Sequence, residues 1–199
     1  MQVLLSGANG VIAGWHHSLV LMQDGSLWAT GWNMLGQLGD GSNTDKRRFT
    51  KVVSSDVRSA AAGYHHTIML RQDGSVWVTG SNRHGQLGDG SYTDQRIFVR
   101  VVSSGAIAVA AGKYHSMVLQ RDGGVWATGR NSYGQLGDGF EIDRICFTVV
   151  ASTIDGLWCA VLFANFTLGF TKLALHTGLP FLPHVLANFF ALKMQILTL

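Results

Sequence analysis

The chain has 199 residues, 47% of them hydrophobic and 14% charged, which excludes a disordered polymer and leaves room for a sizeable core. Its formal charge of +3 overstates its basicity: all the acidic residues lie in 1–155, and the segment from 156 onward carries only Lys172 and Lys193. No nucleic-acid footprint is evident, and Lys46-Arg47-Arg48 with Lys51 is the one basic cluster, read as a solvated loop.

The start, Met1-Gln2-Val3-Leu4-Leu5, lacks the basic and apolar regions of a signal peptide, and Val3 aligns with the last strand of a preceding repeat. From Gly7 a block of forty-nine residues occurs three times without insertion or deletion, as 7–55, 56–104 and 105–153. Such a period is the signature of a repeat architecture. Each copy opens with a small apolar run, such as Ala60-Ala61-Ala62-Gly63, fit for an innermost strand. A short strand comes next (His66 to Leu70 in the second copy), then an Asp-Gly turn read as a type I′ hairpin, then a returning strand (Val76 to Gly80) carrying the repeated Trp28, Trp77 or Trp126. A glycine-rich loop (Asn82 to Gly90) and a last strand (Ile97 to Val102) complete the unit. Four short strands in about fifty residues make one propeller blade. The fold class is therefore all-β, a partial β-propeller of about three four-stranded blades over 1–155, with an apolar C-terminal tail over 156–199.

The constant columns invite chemical readings that repetition argues against. His17, His66 and His115 are read as buried histidines bonded to loop backbone rather than metal ligands, because a role repeated in every unit is structural. His16 and His65 are read as alternating to the opposite strand face. The Gly-Gln-Leu-Gly-Asp-Gly loops lack the Lys-[Ser/Thr] of a phosphate-binding loop, and Asp40, Asp89 and Asp138 read as turn caps. Gly14, Gly63 and Gly112 belong to the same constant frame. No catalytic constellation stands apart from the repeated columns, so no catalytic residue, cofactor or metal site is expected. Variation is concentrated at Trp32, Met34 and Leu35, at Arg83 and His84, and at Arg130 and Tyr133, which flank the constant Asn of each loop and are the candidate partner contacts.

The motifs Ala-Ala-Gly-x-x-His-[Ser/Thr] (Ala61 to Thr67, Ala110 to Ser116), Asp-Gly-x-Val-Trp-x-x-Gly and Asn-x-x-Gly-Gln-Leu-Gly-Asp-Gly separate the chain from WD and kelch repeats. On them it resembles the regulator of chromosome condensation repeat family. That resemblance implies a propeller of about seven blades, of which this chain would hold a fragment. It implies a non-enzymatic protein-interaction module, with partners such as a small GTPase, a tubulin-related protein or chromatin. An alternative it implies is guanine-nucleotide exchange on the small GTPase Ran. The open ends of the blade row are expected to self-associate.

The period is intact through Ser152 and gone by Val161. The stretch 156–171 is uncharged but shorter than a bilayer span, and Pro180 and Pro183 interrupt the apolar stretch after Lys172, so any helix there is short, over 157–172 and 184–197. Three readings stay open: a membrane tether for the module, a cover for the exposed blade edge, or the product of a shifted reading frame or retained intron. Two cysteines, Cys146 and Cys159, make no disulfide framework, and a cytoplasmic or nuclear location is expected.

Overall fold

In the computed structural model, residues 7–151 are described; Val3, Cys159 and the tail expectations lie outside them. These residues form twelve strands and no helix. The first blade is β1 (Ala8–Ala13), β2 (His17–Met22), β3 (Leu27–Gly31) and β4 (Lys46–Val53). The second is β5 (Val57–Ala62), β6 (His66–Arg71), β7 (Val76–Gly80) and β8 (Gln95–Val102). The third is β9 (Ala106–Ala111), β10 (His115–Gln120), β11 (Val125–Gly129) and β12 (Arg144–Ala151). Each blade is an antiparallel meander with neighbours in chain order. The first strands converge: β5 packs on β1 and β2, and β9 packs on β5 and β6, which is where alanines suit the space. Among the described residues no helix is long and apolar enough to cross a membrane.

The blades are held together by apolar faces that neither could bury alone. Leu19, Leu21, Leu27, Ala29, Leu38 and Val53 of the first blade close on Val57 and Met69 of the second, with Trp77 packed against the cluster. The second interface repeats this one period later, with Ile68, Leu70, Val76, Val78, Leu87 and Val102 against Ala106 and Val118, and Trp126 alongside. Most of these side chains are essentially inaccessible, and each Leu, Ile, Val or Met contributes on the order of 1.5–3 kcal/mol by leaving water. The outer face of β1 has no such partner among the described residues, and Val11 there is 82% exposed.

The Asp-Gly turns differ from the expected type I′ form. Gly25, Gly74 and Gly123 have φ of 76, 80 and 86°, but the aspartates before them are not in the left-handed region. Gly74 N–H bonds Arg71 C=O and Arg71 N–H bonds Ser75 C=O, giving a three-residue loop whose last residue is the left-handed glycine. The aspartate serves another purpose: Asp73 Oδ1 accepts from Ser75 N–H at 2.9 Å and from Ser75 Oγ at 2.6 Å. Ser75 Oγ in turn accepts from Trp77 Nε1 at 2.9 Å, so the turn fixes the blade-packing indole.

Candidate functional site

The constant polar residues are used up in building the frame. Asn33, buried, donates through Nδ2 to Asp40 Oδ1 (2.9 Å) and accepts from Leu38 N–H through Oδ1 (3.0 Å), while its own N–H bonds Asp45 Oδ1 (2.8 Å). Asn82 and Asn131 repeat the arrangement. Burial pushes the Asp40 carboxyl up, but bonds from Ser42, Lys46 and Asn33 together hold it below the usual carboxylate range. Arg144 takes the place of Lys46 on Asp138, its Nη2 at 2.6 Å.

Two of the repeated histidines, His17 and His66, bond a side chain of the next blade rather than loop backbone. His17 Nε2 lies 3.0 Å from Thr67 Oγ1, and His66 Nε2 lies 3.0 Å from Ser116 Oγ. Thr67 Oγ1 donates its one proton to Gln37 C=O at 2.7 Å, and Ser116 Oγ donates to Gln86 C=O at 2.7 Å. Each hydroxyl must therefore accept from the histidine, which puts a proton on Nε2, and burial, which lowers the pKa of both rings, leaves them neutral with a bare Nδ1. The Nδ1 of each has no partner among the described residues. The constant glycine sits against this ring: a Cβ at Gly14 would fall 2.6 Å from His17 Nδ1, and at Gly63 and Gly112 2.5 Å from His66 and His115 Nδ1. Thr67→Val keeps the shape and removes the relay, leaving a buried N–H and a buried C=O unpaired. It is expected to cost about 1–3 kcal/mol. The same-column Ser18→Ala should cost less, since Ser18 Oγ has no described partner; urea unfolding of both variants checks this.

Among the described residues no three His, Cys, Asp or Glu side chains come together. The clefts differ in character. One of about 580 Å3, between the second and third blades, is lined by constant positions (Val101, Ser103, Asp122 and Trp126) together with varying ones such as Gln120 and Arg121. The other, of about 490 Å3, is lined by Trp15, His16, Trp32 and His65, positions that mostly differ from blade to blade.

This second cleft belongs to an aromatic and cationic face. His16 and His65 do not alternate within a strand as expected; with Trp15 and Tyr64 they form the bends ahead of β2 and β6, after the constant glycine. The bends lift these rings onto one surface. Trp15 stacks on Tyr64 with centroids 3.5 Å apart, and Trp15 is 53% exposed. Trp32 lies 4.7 Å from His65 and 6.2 Å from His16. Tyr64 meets Tyr114 edge-on at 5.4 Å. Lys113 Nζ sits 4.6 Å over Tyr64 and 5.2 Å from Tyr114. Arg130 lies 5.8 Å from Tyr114 and 5.4 Å from Tyr133, and His84 lies 5.0 Å from Tyr114.

Of the candidate contacts, Trp32, His84, Arg130 and Tyr133 therefore join the cluster. Arg83 is exposed and acts electrostatically on His65. Met34 is 58% exposed but makes no described contact with the rings, and Leu35 is half-buried. Trp15, Tyr64, Lys113 and Tyr114 lie outside the loops on which the sequence pattern places the contacts. Their signal is nonetheless present in the sequence: column 15/64/113 reads Trp, Tyr, Lys directly after a constant glycine.

Comparison with known proteins agrees with this architecture. The chain is 44% identical over 36 residues to the ultraviolet-B receptor UVR8 of Arabidopsis thaliana, a match covering 18% of this chain and 8% of that protein. Among solved structures it resembles Prp20p of Saccharomyces cerevisiae, studied for binding to Gsp1p and histones, at 24% identity and TM-score 0.66 over 73% of this chain and 39% of that one. Yeast RCC1 (Prp20) bound to Kap60 matches equally, over 73% of this chain and 37% of the other. Human WBSCR16 matches at 22% identity and TM-score 0.67 over 77% and 42%. The chain thus spans less than half the length of these structures, and at these identities the likeness speaks for the fold. Two models described as the regulator of chromosome condensation (RCC1) repeat match residues 24–70 and 73–119, and residues 57–86 and 106–135. Together the matches take in more than half of the chain, which belongs to the regulator of chromosome condensation repeat family.

Proposed function

We propose that the chain is a non-enzymatic protein-interaction module whose partner surface is the face carrying Trp15, Trp32, Tyr64, Lys113, Tyr114, Arg130 and Tyr133. The observation that carries this reading is the division of labour between columns. Groups with strongly shifted proton affinity, His17 and His66, are occupied in joining blade to blade. Residues that vary between blades gather on one side, held by a frame that does not vary. Aromatic and arginine side chains on a rigid scaffold are the usual anchors of an interface. Binding of the fold neighbour Prp20p to Gsp1p and histones makes a small GTPase or a histone a reasonable first partner to test.

Exchange catalysis is the alternative, and kinetics separate the two. Released labelled GDP is followed from a Gsp1p-type GTPase with the full chain at substoichiometric amount. We expect the spontaneous rate to persist. Acceleration of about tenfold or more, a barrier change of about 1.4 kcal/mol, overturns the non-enzymatic reading.

A further inference from the structure

We infer that the aromatic face takes an acidic, extended protein segment bearing one bulky apolar anchor residue. The anchor seats in the cleft of Trp15, His16, Trp32 and His65, and carboxylates of the segment meet Lys113, Arg130 and Arg83. The inference rests on the interaction-module reading and narrows its partner chemistry.

The charge of the face points to the acidic segment. Ion pairs among the described residues take up Lys46, His84 and Arg144, and none involves Arg83, Lys113 or Arg130. Two of these three cations lie over aromatic rings, Lys113 on Tyr64 and Tyr114, Arg130 on Tyr114 and Tyr133, so the rings hold positive charge on this face; Arg130 Nε also donates to Ser132 Oγ at 3.3 Å. The cleft walls contain no carboxylate. Its His65 is held below the ordinary histidine range by burial first, then by His16 and Arg83, so added positive charge is disfavoured there. That argues against a quaternary ammonium or methylated lysine, which an aromatic cage flanked by carboxylates would suit.

The anchor is dictated by the cleft itself. It is walled by two indoles and two imidazoles, and a volume of about 490 Å3 accommodates one large side chain with space at the rim. Opposite charge then supplies steering and register around an apolar centre, the usual division of roles at an interface. A second copy docking face to face would oppose Lys113 and Arg130 to cations and gain no counter-charge. Single-stranded nucleic acid needs a cationic groove along its backbone, and three cations over a chain whose residues 1–155 are nearly neutral do not form one.

Fluorescence polarisation of the full chain tests this with a labelled peptide of about twelve residues, alternating Glu and Gly around one central Phe. The controls are the same peptide with Gln for Glu, the same with Ser for Phe, and an oligothymidine of about equal length. The Glu peptide should bind, with affinity falling as salt rises. Lys113→Glu combined with Arg130→Glu, and separately Trp32→Ala, should each weaken it about tenfold or more, whereas Arg121→Glu, exposed beyond the opposite end of β10 from Tyr114, should not. Circular dichroism of each variant guards against unfolding. Equal binding of the Gln or Ser peptide, tighter binding of the oligothymidine, or no binding of the Glu peptide overturns the inference. So does a dimer on sedimentation that Lys113→Glu combined with Arg130→Glu, or Trp32→Ala, dissociates. Crosslinking of the full chain to the folded Gsp1p-type GTPase is scored separately, so a failed peptide with a positive crosslink sinks only the acidic-segment inference.

Discussion

Acidification from pH 6.5 to about 5 is expected to remove roughly 3 kcal/mol of stability from the blades, well before their carboxylates protonate. The cause is the pair of buried histidine relays. Burial, with smaller contributions from His65 and His16, lowers the pKa of His17 to about 4. Burial, then His17 and His115, lowers that of His66 to about 3. In the unfolded chain both titrate near 6.5, so between 6.5 and 4 the unfolded state binds more protons and stability falls with pH. Each histidine contributes a slope of about 1.4 kcal/mol per pH unit below 6.5, continuing to its folded value. From about one pH unit above 6.5 neither state is protonated and the contribution is complete. A second loss sets in lower, where Asp40, Asp89 and Asp138, all held below their ordinary range in the fold, take up protons. For a total stability of about 5–15 kcal/mol, the histidine window alone brings the structure close to unfolding.

The measurement is the urea midpoint, read by the strand signal in circular dichroism, at half-unit steps from pH 7.5 to 4.5. His66→Gln should be less stable at pH 7 but should show about half the slope, since one of the two strongly shifted groups is gone. That slope is independent of how much the substitution itself destabilises. A midpoint that does not move between pH 6.5 and 5 would mean that the rings are already charged or already exposed in the fold.

How far the sequence could be read depends on which relations are local. Strand, turn and loop within one blade are set by neighbours, and the period fixed the three meanders and the Trp between blades. The relay could not be read this way. His17 and Thr67 are fifty residues apart, one period plus one, and only the packing of one blade on the next makes the hydroxyl rather than loop backbone the partner. The Asp-Gly pair shows a different limit: its dipeptide preference suits a type I′ turn, but Asp73 bonding to Ser75 and thus to Trp77 favours a longer loop. On the candidate face, variation found Trp32, Arg130 and Tyr133 because they flank an obvious loop. Trp15 and Tyr64 escaped because they lie between a constant Gly and a constant His, inside a stretch read as repeat frame. The bend that exposes them is a property of the histidine ring packing over that glycine, visible only in three dimensions.

Gly85→Ala is expected to destabilise the protein by about 3 kcal/mol or more, and Gly134→Ala, at the same place in the next repeat, by only about 1–2 kcal/mol. Both glycines are in the left-handed region, with φ of 74 and 67°, so both substitutions carry the same backbone cost. Their surroundings differ. A Cβ on Gly85 would fall 2.7 Å from Arg144 C=O, 2.8 Å from Ile145 Cα and 2.9 Å from Ile145 Cγ2, all in the last strand of the next blade. Two of those atoms are backbone and cannot swing away, so the blades must separate or the loop must shift. Gly36 stands in the same relation to Arg96 and Gln95 of the second blade. At Gly134 nothing among the described residues comes within 4 Å. The difference between the two variants therefore isolates the contact of a loop with its neighbouring blade from the conformational cost of losing glycine. Thermal unfolding of both, run at one pH above 7 to keep the histidines neutral, reads it directly. Equal losses would mean that the Gly134 loop is covered as closely as the Gly85 loop in solution, and that the blade row continues onto a surface beyond residue 151.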